Sequence, residues 1–63
     1  MKVGDRVVLE YKLANTHYFP GKITEITKGK RIATVKLDEK PNFLSTDTLR
    51  VETKHLFARW RPL

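Results

Sequence analysis

The sequence predicts an all-β fold: a small antiparallel barrel of five short strands, with one helical turn before the last strand. Apolar and polar residues alternate with a period of two in several short runs, which is the pattern of half-buried strands. No long window shows the 3.6-residue period of an amphipathic helix. Closure would remove exposed sheet edges, and strong coiling suits a single domain of 63 residues, 1–63, with a short C-terminal tail, 60–63.

The first strand is predicted in RVVLEYK, where alternate side chains point to opposite faces of a sheet. Its inward residues are Val7, Leu9 and Tyr11, and its outward residues are Arg6, Val8, Glu10 and Lys12. The polar stretch KLANTH that follows is predicted to be a loop.

The second strand is predicted in YFPGKITEIT. Pro20 has no N–H to donate, so we expect it at a sheet edge or at the start of the strand. Gly21 permits a bulge there. Strict alternation would send Ile23 and Ile26 to opposite faces, so a bulge or strong coiling between them is expected to bring both inward.

A hairpin turn is predicted at TKGK, with Gly29 at a position suited to a positive φ. The third strand follows in RIATVKLD. Its inward residues are Ala33, Val35 and Leu37, and its outward residues are Ile32, Thr34 and Lys36.

The second loop is predicted in DEKPNFLSTD, with a turn at Pro41-Asn42 and with Phe43-Leu44 folded back as a lid on the core. TLRVE is then a strand with Leu49 and Val51 inward, and with Arg50 and Glu52 outward.

TKHL suits one helical turn, with Thr53 as its cap and Leu56 facing the core. FARWRPL is predicted to end the chain as a short strand and the tail.

Charge indicates a polyanionic partner, with solubility as the alternative explanation. Thirteen Lys and Arg residues stand against seven Asp and Glu residues, which leaves a net charge of +6. The opening MKVGDRVVLEYK has no apolar signal segment, and no run approaches the roughly 18 apolar residues of a membrane span. We therefore expect an intracellular protein, in the cytoplasm or in the nucleus if eukaryotic, that is not secreted and has no membrane partner.

The strand phase directs Lys22, Lys36 and Arg50 outward from three neighbouring strands, and cations also cluster at the hairpin tip, at Lys28, Lys30 and Arg31. These six predict a nucleic-acid-binding surface that contacts phosphates with low sequence specificity, with duplex DNA slightly preferred over RNA. Thr24 and Thr34 would add hydroxyl groups, and Ile32 an exposed apolar wedge. A solvated face and an acidic protein partner are the alternatives.

The C-terminal segment holds a second basic element, in which Arg59 and Arg61 flank Trp60. Trp60 would stack on bases, and Arg59 would contact phosphates. The alternative is that Trp60 packs over the open end of the barrel. This alternative is favoured, because a domain this small needs to bury apolar surface.

The order of these features resembles the Tudor-like and agenet-like members of the SH3-like barrels, and at this level also the KOW-like barrels. The matching residues are Val3-Gly4-Asp5, Tyr11, Phe19-Pro20, Leu37-Asp38 and Leu56. The resemblance covers about residues 2–58. It implies either a module that binds methylated Lys or Arg in an aromatic cage, or a barrel that binds nucleic acid or protein.

The resemblance places Tyr11 and Phe19 where the first two cage aromatics stand, and Phe43 would substitute for the third if its loop folds in. Leu37 occupies the usual third position and offers no π face. Lys40 nearby would repel a cation. The alternative is that these rings are core or rim aromatics of a small barrel. A peptide-binding site at Tyr11, Phe19 and Phe43 is therefore the second functional hypothesis.

Nothing in the sequence indicates an enzyme, a cofactor or a metal site. His17 and His55 are the only histidines and there is no Cys, so no catalytic triad or zinc pattern is visible. The three glycines form no phosphate-binding loop.

Overall fold

The computed structural model describes residues 1–59, and these form one antiparallel sheet of five strands. The strands are β1 (Arg6–Lys12), β2 (Thr16–Ile26), β3 (Ile32–Leu37), β4 (Thr48–Glu52) and β5 (Leu56–Phe57), and a 3₁₀ turn (Thr53–His55) joins β4 to β5. Their order across the sheet is β4-β3-β2-β1-β5. The predicted all-β class, the five antiparallel strands and the helical turn before the last strand are confirmed. No helix within residues 1–59 has the length and apolar character needed to cross a membrane.

The predicted closure of the barrel is wrong for the part of the chain that the structure describes. β4 and β5 lie at opposite ends of the hydrogen-bonded order and do not pair. The 3₁₀ turn carries the chain from β4 across to β1, where β5 pairs only with Val8 and Leu9. Because β5 pairs with β1 and no strand within residues 1–59 pairs with the outer side of β4, one edge of β4 stays open.

The inward residues of the alternating pattern form the core. The buried cluster consists of Val7, Leu9, Ile23, Ala33, Val35, Leu37 and Leu56. Val8 departs from the prediction, because it points to the outer face but is only 4% exposed. Its register partners are Pro20 in β2 and Phe57 in β5, so apolar neighbours flank it on both sides.

The irregularity predicted between Ile23 and Ile26 is confirmed. The register with β3 shifts between Ile23 and Glu25, so Ile23 lies opposite Val35 and Ile26 lies opposite Ala33, both on the inner face. This extra residue lets two isoleucines three positions apart pack on the same side of the sheet.

The bulge permitted at Gly21 is not found, because Gly21 pairs regularly with both Val7 and Leu37. A Cβ at Gly21 would lie 2.6 Å from the carbonyl oxygen of Lys36. The glycine therefore allows β2 to approach β3 closely.

The position predicted for Pro20, at a sheet edge or a strand start, is also wrong, because Pro20 lies within β2, a central strand. Its carbonyl accepts the Asp38 N–H, just past the end of β3. The nitrogen and the carbonyl of a strand residue face the same side, so the nitrogen of Pro20 also faces the region beyond the end of β3. No ladder bond is therefore lost because proline lacks an N–H.

The hairpin tip between β2 and β3 turns at a different residue from the one predicted. The positive φ belongs to Lys30, at 59°, and not to Gly29. The Lys30 N–H donates to the Thr27 carbonyl at 2.8 Å and closes the turn.

Thr53 does not cap the 3₁₀ turn, because the capping position belongs to Glu52, which makes no side-chain cap. The Thr53 hydroxyl donates instead to the carbonyls of Lys30 and Arg31, at 2.8 and 3.3 Å. Its N–H also donates to the Arg31 carbonyl, at 2.9 Å. Thr53 thus fastens the hairpin tip to the end of β4.

The first loop is shorter than predicted, since β1 extends to Lys12 and β2 begins at Thr16. His17 therefore lies in a strand. In the second loop, the Leu44 N–H donates to the Pro41 carbonyl at 3.1 Å, as expected for a turn there. The Lys40 ammonium donates to the Leu44 carbonyl at 2.9 Å, and the Leu44 side chain packs against the core.

Candidate nucleic-acid interface and aromatic cluster

A row of cations crosses the outer face of the sheet. In register, Arg6 lies opposite Lys22, Lys22 opposite Lys36, and Lys36 opposite Thr48. Directly opposed residues have Cβ atoms about 4.5–5.5 Å apart. We call Arg6, Lys22 and Lys36 the basic row. All three side chains are exposed.

Arg50 lies on the same outer face, one step further along β4. It is opposite Thr34, and Lys36 is opposite Thr48, so Arg50 is a diagonal neighbour of Lys36. Diagonal neighbours in an antiparallel pair are about 7–8 Å apart. The phase of the strands thus brings Lys22, Lys36 and Arg50 together on three adjacent strands.

The charges of this face differ in how they are neutralised. Arg6 forms an ion pair with Asp38, and its Nη1 donates to Oδ1 at 2.8 Å. Lys22, Lys36 and Arg50 form no ion pair within residues 1–59. Three like charges without an ion pair are left facing solvent, where an external anion can reach them, although Lys22 lies close enough to Asp38 to interact with its charge.

The ion pair of Arg6 shifts the titration of Asp38. The hydrogen bonds from the Arg6 guanidinium lower the pKa of that carboxyl, and the charges of Arg6 and Lys22 lower it further against an opposing desolvation. Asp38 therefore stays ionised to a lower pH than an ordinary aspartate and holds Arg6 at one end of the basic row. The sequence did not point to this pair, because the two residues are 32 positions apart.

The cations of the hairpin tip do not continue the basic row. Lys28, Lys30 and Arg31 are exposed at the far end of β2 and β3. The row and the tip are separated on the outer face by two carboxylates, because Glu25 lies opposite Thr34 and Glu52 lies opposite Ile32. The six predicted cations thus form two groups and not one ribbon.

The uncharged residues predicted for this surface have smaller roles than expected. Ile32 is half-buried and not the exposed residue that was expected. The Thr24 hydroxyl donates to the main-chain carbonyl of Thr34 at 3.3 Å. Thr24 also borders a shallow depression together with Arg6, Lys22 and Lys36.

Arg59 is exposed and lines a second depression beside Arg6, Val8 and Pro20. It therefore adds a cation at the Arg6 end of the basic row. Trp60 lies outside the described residues.

Four rings meet at the other end of the β1–β2 hairpin, and we call them the aromatic cluster. Ring centroids are 6.2 Å apart for Tyr11 and Phe19, 5.9 Å for Tyr11 and Phe43, and 5.9 Å for Phe19 and Phe43. His17 stacks on Phe19 with an interplanar angle of 2°. The loop that carries Phe43 folds in over the strands, and Phe43 remains 50% exposed.

The aromatic cluster gathers the three residues of the peptide-binding hypothesis and adds His17. Sequence reasoning missed His17 because it placed this residue in a loop. The available signal was weak, because the residues between His17, Phe19 and Gly21 are Tyr18 and Pro20 and give no apolar-polar alternation. The centroid separations are those of rings in direct contact, about 4.5–7 Å, so the rings pack on one another. The Lys40 ammonium is held by the carbonyls of Pro41 and Leu44 in the loop that carries Phe43, and it keeps its positive charge there.

Within residues 1–59, no three His, Asp or Glu side chains are placed to hold a metal ion. No protein-family model, curated protein or solved structure matches this chain.

Proposed function

We propose that this protein binds nucleic acid through the phosphate backbone, with low sequence specificity and a slight preference for duplex DNA over RNA. The observation that carries the proposal is the direct opposition of Lys22 and Lys36 on the outer face, with Arg50 as a diagonal neighbour and no ion pair to any of them. Adjacent like charges repel each other. A bound polyanion would remove that repulsion.

The mechanism of binding would be electrostatic. Each Lys or Arg that contacts a phosphate releases condensed counterions, and this release supplies most of the affinity for a non-specific site. The large apolar side chains most exposed in residues 1–59 are Met1, Val3, Leu13 and Phe43, and none belongs to the basic row. The row thus lacks an exposed apolar side chain to pack against bases, and its cations can meet the phosphates of any sequence, which is why low specificity is expected.

A salt titration on a duplex of mixed sequence tests the proposal. If Lys22, Lys36 and Arg50 each neutralise one phosphate, the logarithm of the affinity should fall against the logarithm of the salt concentration with a slope of about −2.7. Arg59 and the tip cations would steepen it. An affinity that does not change with salt would reject the proposal.

The aromatic cluster supports a second candidate function, the binding of a peptide that carries a methylated Lys or Arg. Its support is the contact of Tyr11, Phe19 and Phe43, because a cage needs two to four rings around one spot. Phe43 would have to move aside to admit a methylammonium group. Ring chemical shifts of Tyr11 and Phe19 on addition of trimethyllysine test it, and shifts that do not move would exclude it.

A further inference from the structure

A cleft lies between β1 and the open edge of β4. It is lined by the inward-facing residues Leu9, Tyr11 and Val51, by Glu10 and Lys12 of β1 on one side, by Arg50 and Glu52 of β4 on the other, and by His55. The volume is ≈ 460 Å³. Inward-facing apolar residues beside an open strand edge suit an extended chain, whose side chains alternate between the apolar side and solvent.

The open edge of β4 presents unpaired main-chain groups to this cleft. The Asp47 carbonyl and the Thr53 N–H bond to β3, at Leu37 and Arg31. Because strand residues alternate in the side to which their main-chain groups point, Arg50 and Glu52 direct theirs away from β3. No strand within residues 1–59 pairs with β4 on that side. The N–H and C=O groups of Arg50 and Glu52 are therefore available to a further strand.

The two sides of the cleft carry two carboxylates and two cations, and only Arg50 among these four is without an ion-pair partner within residues 1–59, which favours an acidic residue of the occupant at that one position. Lys12 is 3.6 Å from the carboxylate of Glu10, and Glu52 is 3.2 Å from the ammonium of Lys54. Arg50 has no such partner within the described residues. A residue paired directly opposite Arg50 would share its outer face, so a carboxylate at that position would meet an uncompensated guanidinium.

We infer that this cleft binds an extended acidic peptide segment of a protein partner as an additional strand on β4. Alternate apolar side chains of the segment lie over Leu9, Tyr11 and Val51, and an acidic side chain beside them contacts Arg50. The hydrogen bonds to the edge supply affinity, and the inward-facing apolar residues with the guanidinium supply selectivity. This site shares Tyr11 with the aromatic cluster and Arg50 with the phosphate-contacting surface, but its affinity comes from strand addition at the edge of β4 and does not depend on nucleic-acid binding.

The direct test uses the ¹⁵N-labelled chain and the peptide acetyl-Gly-Val-Glu-Val-Glu-Val-Gly-amide, which alternates apolar and acidic residues. We expect the amides of Arg50 and Glu52 to shift and to exchange more slowly with solvent. The control peptide has the same composition in the order Gly-Val-Val-Val-Glu-Glu-Gly. Equal shifts with both peptides, or no shift at about 2 mM peptide, where even an affinity near 1 mM is visible, would overturn the inference.

A proline substitution tests the edge without breaking the sheet. Glu52 has φ −74°, which proline adopts without strain, and its N–H points away from β3. Glu52→Pro should therefore keep the fold and weaken the peptide about fivefold through the loss of one hydrogen bond. Glu52→Gln is the matched control, because it removes the same charge but keeps the N–H. Equal affinity in the two variants would contradict edge pairing.

The same spectra identify other occupants. Shifts at Arg50 and Glu52 that grow with protein concentration in the absence of peptide would show that a second copy occupies the edge, and would overturn the assignment to a peptide. Shifts at these amides with an oligonucleotide but not with the peptide would do the same. Lys22→Gln with Lys36→Gln should leave peptide binding unchanged, so failure of the nucleic-acid proposal and failure of this one are distinguishable.

Discussion

At the scale of a single residue, Gly21 sets how closely β2 approaches β3. A Cβ there would lie 2.6 Å from the Lys36 carbonyl oxygen and 2.8 Å from a methyl group of Val35. Neither atom can retreat easily, because one belongs to the main chain and the other to a fully buried side chain. Gly21 pairs with Leu37, directly beside the Lys22–Lys36 pair of the basic row.

We expect Gly21→Ala to lower the free energy of unfolding by about 1–3 kcal/mol, since overpacking at a rigid contact forces the main chain to shift. Gly29→Ala is the matched control, because its Cβ would meet nothing within 4 Å and its φ is not positive. That control should leave stability unchanged or raise it by up to about 1 kcal/mol, because alanine restricts the unfolded chain. Urea unfolding of both variants measures the difference, and equal stabilities would contradict the close approach.

The lowered pKa of Asp38 predicts a dependence of stability on pH. A carboxyl whose pKa is lower in the folded state stabilises the fold above its unfolded pKa of about 3.9, and this contribution is lost as the pH falls through the folded pKa. The cause is the hydrogen bonding and charge of Arg6, with Lys22 adding to it. Asp38→Asn should therefore lose less stability than the original chain as the pH is lowered from about 5 to 2. Urea unfolding of both chains at each pH measures this difference. If the free energy of unfolding falls equally in the two chains as the pH is lowered, this contribution is excluded.

At the scale of elements, alternation predicted the strands, because each strand has one face on the core. The bulge was also predictable, since Ile23 and Ile26 both have to be buried. The burial of Val8, the place of Pro20 inside β2 and the open edge of β4 could not be predicted, because each depends on which residue of a distant segment lies opposite. The predicted length of the first loop was wrong for a related reason. Pairing with β1 extends β2 back to Thr16, although the local sequence is polar.

The β2–β3 hairpin is held at its tip by Thr53, and this gives a prediction at the same scale. Thr53→Val keeps the shape and the N–H but removes the hydroxyl that donates to Lys30 and Arg31. We expect a loss of about 0.5–1.5 kcal/mol in the free energy of unfolding and faster amide exchange at Lys30. Thr16→Val is the control, since the Thr16 hydroxyl makes no side-chain hydrogen bond within residues 1–59. If the stability and the amide exchange at Lys30 are unchanged in Thr53→Val, the hydrogen bond from the Thr53 N–H is sufficient to hold the hairpin tip.

At the scale of the whole molecule, the question is whether the net charge of +6 or its arrangement drives nucleic-acid binding. Strand phase alone predicted that Lys22, Lys36 and Arg50 share a face, because it follows from the buried residues between them. Strand phase did not predict that Asp38 neutralises Arg6, or that Glu25 and Glu52 separate the row from the tip. These depend on register and on a loop, which the alternating pattern does not specify.

Two double variants of equal net charge separate arrangement from total charge. Lys22→Gln with Lys36→Gln removes two unpaired cations that oppose each other on the outer face. Lys12→Gln with Lys54→Gln removes two cations that already pair with carboxylates, at 3.6 and 3.2 Å. If the basic row contacts phosphates, the first variant should make the salt slope shallower by about 1.8 and the second should leave it nearly unchanged. Titrations of both variants with the same duplex provide the measurement. If the two lose affinity equally, long-range attraction by net charge explains the binding and the row has no special role.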